Sequence, residues 1–226
     1  MSEATATTGV RERLVRAAEQ LFAERGLDAV SLREILAEAQ VGNSSAVQYH
    51  FGDRSGLVRA VLAKHHGAVE ARRHALLDQY EAVGEDDLRA LAGALVRPLA
   101  AELDDADGGP GYLQVMADLA TAPQPVLAAA SVEDPTDSTY RWRALVAPLL
   151  SPEAVRLHRR FTAVQFTLTE LSRRGRDDRG NDGAAGRDQR LFTSHLVDLV
   201  TAVLAAPVSD ETRRLARRRR RRPAPS

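Results

Sequence analysis

Apolar residues recur every three or four positions along most of the chain, and no window shows the sustained alternation of β-branched and aromatic residues typical of strands. The pattern therefore predicts an all-α protein. The first helix spans about residues 10–25, with Leu14, Ala18 and Leu21 on its apolar face and Phe22 extending that stripe. Gly26 is well placed to terminate it.

Two short helices joined by a tight turn follow the first helix. Ser31 and Glu34 have the spacing of a capping box, which predicts the start of the second helix. The turn at residues 41–45 offers Asn and Ser side chains that can cap a third helix over about residues 45–50. Asp53 is a good N-cap for a long fourth helix.

The remainder of the chain also has helical spacing. We expect the fourth helix to reach about Tyr80 and five further helices at about residues 85–102, 111–122, 138–149, 152–173 and 187–206. Gly, Pro and acidic residues separate them, and the segment 175–186 is predicted to be a loop. We predict three parts: an N-terminal helical unit at 1–56, a second helical domain at 57–206, and a disordered Arg-rich tail at 207–226.

Charge changes this picture only at the C-terminus. Lys and Arg total 31, as do Asp and Glu, yet residues 207–226 hold 8 Arg against 2 acids. Residues 1–66 hold 8 basic and 8 acidic residues, so this part of the chain lacks the generally basic composition typical of nucleic-acid-binding domains. The N-terminus lacks the charged start and apolar stretch of a secretory signal, and no long apolar run is present, so we expect a cytoplasmic protein without a membrane partner. Cysteine is absent.

Two short helices joined by a turn and preceded by a longer amphipathic helix predict a helix-turn-helix unit, whose second short helix enters the major groove of DNA. Val47 and Phe51 suit the rear face of that helix. Gln48 suits base reading, because its amide can bind adenine bidentately. Small polar residues precede it on the side that approaches DNA: Asn43, Ser44 and Ser45.

Three stretches carry a resemblance to the TetR family of bacterial transcriptional regulators: VSLREI at 30–35, VG at 41–42 and QYHFGDRSGL at 48–57. The resemblance covers about residues 11–62. It implies that Tyr49, His50 and Arg54 contact DNA phosphates or the groove edge, and that Ser31 caps the second helix beside the DNA backbone. Gln48 replaces an aromatic residue common in the family, which leaves the operator sequence open.

The same resemblance implies that 1–56 is the DNA-binding domain and that 57–206 is a ligand-binding and dimerisation domain. It implies a pocket for a small-molecule inducer and a dimer interface of four helices, drawn from the last two long helices of each subunit. Candidates for the pocket are the larger side chains of the middle helices: Leu95, Tyr112, Met116, Trp142, His158 and Phe166. Candidates for the interface lie at helical spacing on the two last helices: Phe161, Leu168, Phe192, Leu196, Leu199 and Val203. Ordinary intrachain core is the alternative for any of them.

Other classes of site are less well supported. Ser44, His50 and Asp53 are the residue types of a hydrolase triad, but one short helix and its turn cannot arrange them as nucleophile, base and orienting group. No enzyme activity is therefore expected. His65 and His66 are adjacent on a helix and point about 100° apart, so we expect solvated surface there, with no metal site and no cofactor.

The sequence thus predicts a homodimeric repressor that binds a palindromic double-stranded DNA operator and is released by a small-molecule inducer of unknown identity. An activator of the same fold, or a helical interaction scaffold without specific DNA binding, are the alternatives.

Overall fold

The computed structural model describes residues 2–122, 136–180 and 189–220, and within these ranges the chain contains helices and no strand. The all-α prediction is confirmed. The α-helices, in chain order, are α1 (Ser2–Arg25), α2 (Leu32–Glu38), α3 (Ala46–Phe51), α4 (Arg54–Val83), α5 (Leu88–Ala100), α6 (Gly109–Thr121), α7 (Ser138–Val146), α8 (Pro152–Arg156), α9 (Arg159–Gly180), α10 (Gln189–Ala205) and α11 (Asp210–Arg220). Short 3-10 turns follow α5 (Ala101–Asp104) and α7 (Ala147–Leu149).

The first three helices and the start of α4 enclose one apolar core, which we call the head. Leu14, Phe22, Ile35 and Leu57 are completely buried in it. Gly26 ends α1 as predicted, because its φ of 82° is left-handed and its N–H donates to the Phe22 carbonyl at 2.8 Å.

The remaining helices enclose a second core, which we call the body. Trp142 is its largest fully buried side chain, and its indole N–H donates to the Leu91 carbonyl at 2.8 Å. Helix α4 runs from head to body: Leu57 packs in the head, and Leu77 packs in the body. Helix α4 therefore contributes side chains to both cores.

Helix α6 packs against both cores. Val115 is buried with the head, whereas Tyr112 and Leu113 are buried with the body. The approach of α6 to α1 is so close that a Cβ added to Gly111 would lie 2.2 Å from the backbone carbonyl oxygen of Glu19. A side chain at this position would therefore push α1 and α6 apart.

The body departs from the sequence prediction in two places. The single helix expected at 152–173 is two helices, because His158 takes a left-handed φ of 56° between α8 and α9. The loop expected from residue 175 begins later, since α9 continues to Gly180. Gly175 is buried within α9, where a Cβ would lie 3.3 Å from the Leu103 side chain, so this glycine allows close packing of α9.

The two ends of the chain are more helical than expected. Helix α1 begins at Ser2 rather than near Val10. Part of the tail predicted to be disordered forms α11, because the Ser209 hydroxyl accepts from the N–H of Thr212 and Asp210 pairs with Arg213 at 2.7 Å. Residues 221–226 lie outside the described residues, as do 123–135 and 181–188, which include parts of two predicted loops.

Across the described ranges, no single helix is long and apolar enough to cross a membrane. Gln189–Ala205 and Asp210–Ala216 pass on length and composition only as a pair bent by 58°, and the first of them buries Leu196, Val197 and Val200 in the body.

Candidate nucleic-acid interface

The predicted helix-turn-helix is formed by α2, the turn after it and α3. Helix α2 begins with the predicted capping box: the Ser31 side chain accepts from the N–H of Glu34, and the Glu34 carboxylate accepts from the N–H of Ser31 at 2.8 Å. Ser31 is exposed, yet its hydroxyl also donates to Glu34 at 2.6 Å. Its first role is thus to fix the start of α2.

The capping box also sets the charge at the start of α2. Hydrogen bonds from the side chain and backbone of Ser31, followed by one from the Arg25 guanidinium, lower the pKa of Glu34 to about 2. Glu34 is therefore ionised at neutral pH, where its negative charge favours the N-terminus of a helix.

The turn between α2 and α3 presents small polar groups to solvent. Gln40 has a left-handed φ of 54° and Gly42 is exposed. The Asn43 side-chain oxygen accepts from the N–H of Ser45 at 2.9 Å, so Asn43, rather than Ser45, orders the start of α3. Ser44 and Ser45 are exposed.

Helix α3 has one buried and one exposed face. Ala46 and Val47 are buried in the head, while Gln48 is exposed. The Tyr49 ring is 77% exposed, the most exposed of the large apolar side chains, and it meets the His50 ring edge-on at 5.0 Å between centroids. An exposed aromatic next to an exposed amide is a surface that suits a polar partner with apolar patches, such as the edge of a DNA groove.

Two arginines of α1 contact the helix-turn-helix from behind, one at the end of α3 and one at the end of α2. The Arg11 guanidinium lies 5.3 Å from the centroid of the half-buried Phe51 ring. The Arg13 side chain donates to the Ala39 carbonyl at 3.2 Å and so ties α1 to the end of α2. Sequence reasoning missed Arg13, because its partner is 26 residues away and no local pattern links the two.

Arg54 is turned inward. Its guanidinium donates to the Leu27 carbonyl at 2.5 Å and lies 5.6 Å from the centroid of the Phe22 ring. It therefore joins the start of α4 to the loop after α1, and a phosphate contact by Arg54 stays a prediction. Asp53 caps α4 as expected, since its carboxylate accepts from the N–H of Gly56 at 2.7 Å.

The residues predicted for an inducer pocket are mostly packed together in the body core. Tyr112, Trp142 and Leu95 are buried there, and Met116 and Phe166 pack against the same cluster. His158 is exposed in the left-handed link before α9 and is not in that cluster. A cleft of about 480 Å³ lies elsewhere, between α1 and α4, and its lining includes Arg11, Arg16, Lys64 and Asp107.

The residues predicted for a dimer interface divide into three groups by burial. Leu168 and Leu196 are buried within a single chain and serve its own core. Phe161, Phe192 and Val203 are half-buried. Leu199 is 38% exposed on α10, so it is free to contact a second subunit.

The expectation of solvated histidines on α4 is wrong for His65, which is 3% exposed. Its two ring nitrogens face two buried carboxylates: Nε2 lies 3.0 Å from Glu19 of α1 and Nδ1 lies 2.8 Å from Glu102 after α5. Burial alone would lower the pKa of His65, but the hydrogen bonds and negative charges of Glu102 and Glu19 outweigh it and raise that pKa to about 9. The carboxylates come from positions 37 and 46 residues away, where sequence spacing gives no signal.

Part of the head is similar to a known protein family. Residues 14–61 match the model of the family described as bacterial regulatory proteins, tetR family. No curated protein matches the chain. Among solved structures, a TetR-family regulator from Streptomyces coelicolor A3 is 21% identical, with 87% of this chain and 95% of that chain covered and a TM-score of 0.39. RolR in complex with resorcinol is 22% identical, with 92% and 99% covered and a TM-score of 0.41. Both TM-scores are low, so these two likenesses support no conclusion about the role of this chain.

Proposed function

We propose that this chain, whose residues 14–61 match the model of the tetR family of bacterial regulatory proteins, is a TetR-family transcriptional repressor that binds a palindromic operator as a homodimer and is released by a small-molecule inducer. Each subunit inserts α3 into a major groove, and the two-fold symmetry of the dimer matches that of the operator. We assign it no catalytic activity.

One observation carries the proposal: the 77% exposure of Tyr49 beside the exposed Gln48, on a helix whose opposite face is buried in the head. The Tyr49 ring belongs to neither core, so packing within the chain does not account for it. Contact with a groove edge or the sugar-phosphate backbone supplies one, and Gln48 provides an amide that can distinguish adenine.

The dimer and the inducer are supported more indirectly. Leu191 and Leu199 are exposed on α10, at 62% and 38%, and two such apolar side chains on one helix suit a contact with a second subunit. An inducer would act if it bound more tightly to a state in which the two heads are wrongly spaced. Helix α4, which packs in both cores, is the element that would carry this change.

Operator binding is tested by footprinting the purified chain on the DNA that flanks its own coding region. The double substitution Tyr49→Ala with His50→Ala should weaken specific binding by at least about tenfold, since each lost specific contact costs on the order of 1–3 kcal/mol. Far-ultraviolet circular dichroism and the molar mass in solution should stay unchanged, because Tyr49 is outside both cores.

Tyr140→Ala is the matched control, because Tyr140 is also an exposed tyrosine, at 38%, but lies on α7 in the body. It should leave the footprint intact. A double variant that still protects the same DNA at the same concentration would refute the assignment of α3 as the reading helix. A wild-type chain that shows no salt-sensitive binding to this DNA would favour the scaffold hypothesis.

A further inference from the structure

A buried group of ionisable side chains lies where the head meets the body. His65 of α4, Glu19 of α1 and Glu102 after α5 are 3%, 1% and 2% exposed. Asp105, in the loop that leads to α6, completes the group, and its side chain is 39% exposed. Proposed DNA binding makes no use of these residues.

Three possible ligand atoms in this group lie close to one another. His65 Nδ1 lies 2.8 Å from Glu102 Oε2 and 3.3 Å from Asp105 Oδ2, and all three lie within 4.8 Å of one another. Ligands about 2.1 Å from a metal ion, at neighbouring corners of an octahedron, are about 3.0 Å apart. The two distances from His65 Nδ1 are close to this spacing, and the distance between the two carboxylate oxygens is at most 4.8 Å.

Each carboxylate has one oxygen held by another group and one directed at His65. Glu102 Oε1 accepts from Arg72 at 2.6 Å, which leaves Oε2 towards the imidazole. Asp105 Oδ1 accepts from the N–H of Asp107 at 2.9 Å, which leaves Oδ2 towards the imidazole. This fixed orientation is what a preformed coordination site needs.

The second ring nitrogen of His65 is also oriented. Its Nε2 lies 3.0 Å from Glu19, whose other oxygen accepts from Lys64 at 2.7 Å. A carboxylate that accepts from the free N–H of a metal-bound histidine fixes its ring and its tautomer. Glu19 is itself closely enclosed, because a Cβ on Gly108 would lie 2.2 Å from its carboxylate.

We propose that His65, Glu102 and Asp105 bind a divalent first-row transition metal ion, with Glu19 orienting the imidazole. One neutral imidazole and two carboxylates carry a charge of −2, which balances such an ion, and a nitrogen donor favours Zn²⁺, Fe²⁺ or Ni²⁺ over Mg²⁺. The ion takes the place of the proton on Nδ1, and the exposed side of Asp105 gives it a route in. Because Glu19 belongs to α1 and Glu102 to the body, an ion here joins the two.

The test is calorimetric titration of the full chain, without an affinity tag and stripped by a chelator, with Zn²⁺. We expect one saturable site per chain and a higher melting temperature with saturating Zn²⁺. Replacing His65 would remove the hydrogen-bond partner of one buried oxygen in each of Glu19 and Glu102 and so endanger the fold. The decisive variant is therefore Asp105→Asn, which should lower the affinity for Zn²⁺ by at least about tenfold while leaving the helical signal unchanged.

His66→Ala is the matched control, since His66 is exposed on the same helix and belongs to a different group with Glu70 and Asp137. It should bind Zn²⁺ like the wild type. Absence of saturable binding to the wild type, or binding that His66→Ala removes and Asp105→Asn does not, would overturn the proposal. No DNA enters this test, so its failure leaves the proposed function untouched.

Discussion

Replacing Gly111 by alanine tests how closely α1 and α6 pack. In an open helix, this substitution stabilises by about 1 kcal/mol, because alanine has the higher helix propensity. At Gly111 the new Cβ would lie 2.2 Å from the carbonyl oxygen and 2.8 Å from the carbonyl carbon of Glu19. These are backbone atoms of a buried residue, so they cannot turn aside as a flexible side chain would.

The balance of the two effects gives the expected magnitude. Overpacking of a close contact costs about 1–3 kcal/mol, and here the contact falls more than 1 Å short of an ordinary van der Waals distance. We therefore place the clash at the upper end and expect a net loss of about 2 kcal/mol in the free energy of unfolding. With a urea m-value of about 2 kcal/mol/M, the unfolding midpoint should fall by about 1 M.

Gly67→Ala is the matched comparison. Gly67 lies inside α4, and a Cβ there would meet no atom within 4 Å. The same substitution should therefore raise the midpoint, by about 0.3–0.5 M. Urea unfolding of both variants, followed by circular dichroism at one fixed protein concentration, makes the comparison. If Gly111→Ala raised the midpoint as Gly67→Ala does, the close contact between α1 and α6 would be refuted.

Three further predictions concern the capping box and the dimer. Ser31→Ala should lower the free energy of unfolding by about 1 kcal/mol in urea titrations, and it should raise the pKa of Glu34 from about 2 towards its usual value in a carboxyl NMR titration; an unchanged pKa would contradict the hydrogen bonds assigned to Ser31. Because folding lowers the pKa of Glu34, the contribution of its ionised carboxylate to the free energy of unfolding is complete above about pH 4.5 and is lost as the pH falls through about 2. The urea midpoints of Ser31→Ala and of the wild type should therefore converge on acidification. Leu199→Asp should reduce the molar mass measured by light scattering from dimer to monomer, whereas Val83→Asp, 68% exposed at the end of α4, should not; equal masses for all three proteins would exclude α10 from the interface.

The local signals in the sequence predicted the head well. The capping box at Ser31, the stop at Gly26 and the cap at Asp53 each depend on residues within four positions of one another, and the structure contains all three. Helical spacing likewise predicted which face of α1 is buried. Such features follow from backbone hydrogen bonding and periodicity, which a single sequence displays directly.

Features that depend on distant contacts were not predictable in this way. Helical spacing predicts a solvated His65, and its carboxylate partners, 37 and 46 residues away, leave no local signal that would correct this prediction. The glycine-rich composition around Gly175 predicts a loop, but Gly175 lies in a helix and its lack of a side chain allows close packing against Leu103. The break between α8 and α9 occurs at His158, where no glycine or proline in the sequence indicates it. In each case, tertiary contact rather than local preference decides the outcome.

Because α6 packs against both cores, the head cannot be exchanged between proteins at a single point in the sequence. A head excised at residue 61 would leave behind Val115, which is completely buried in the head core, and would lose the hydrogen bond at 2.6 Å from the N–H of Leu27 to the Asp118 carboxylate of α6. A hybrid protein that joins this head to a different body must therefore also include the face of α6 that bears Val115 and Asp118. The residues to be transferred are thus discontinuous in the sequence, and a single junction in α4 does not include them all.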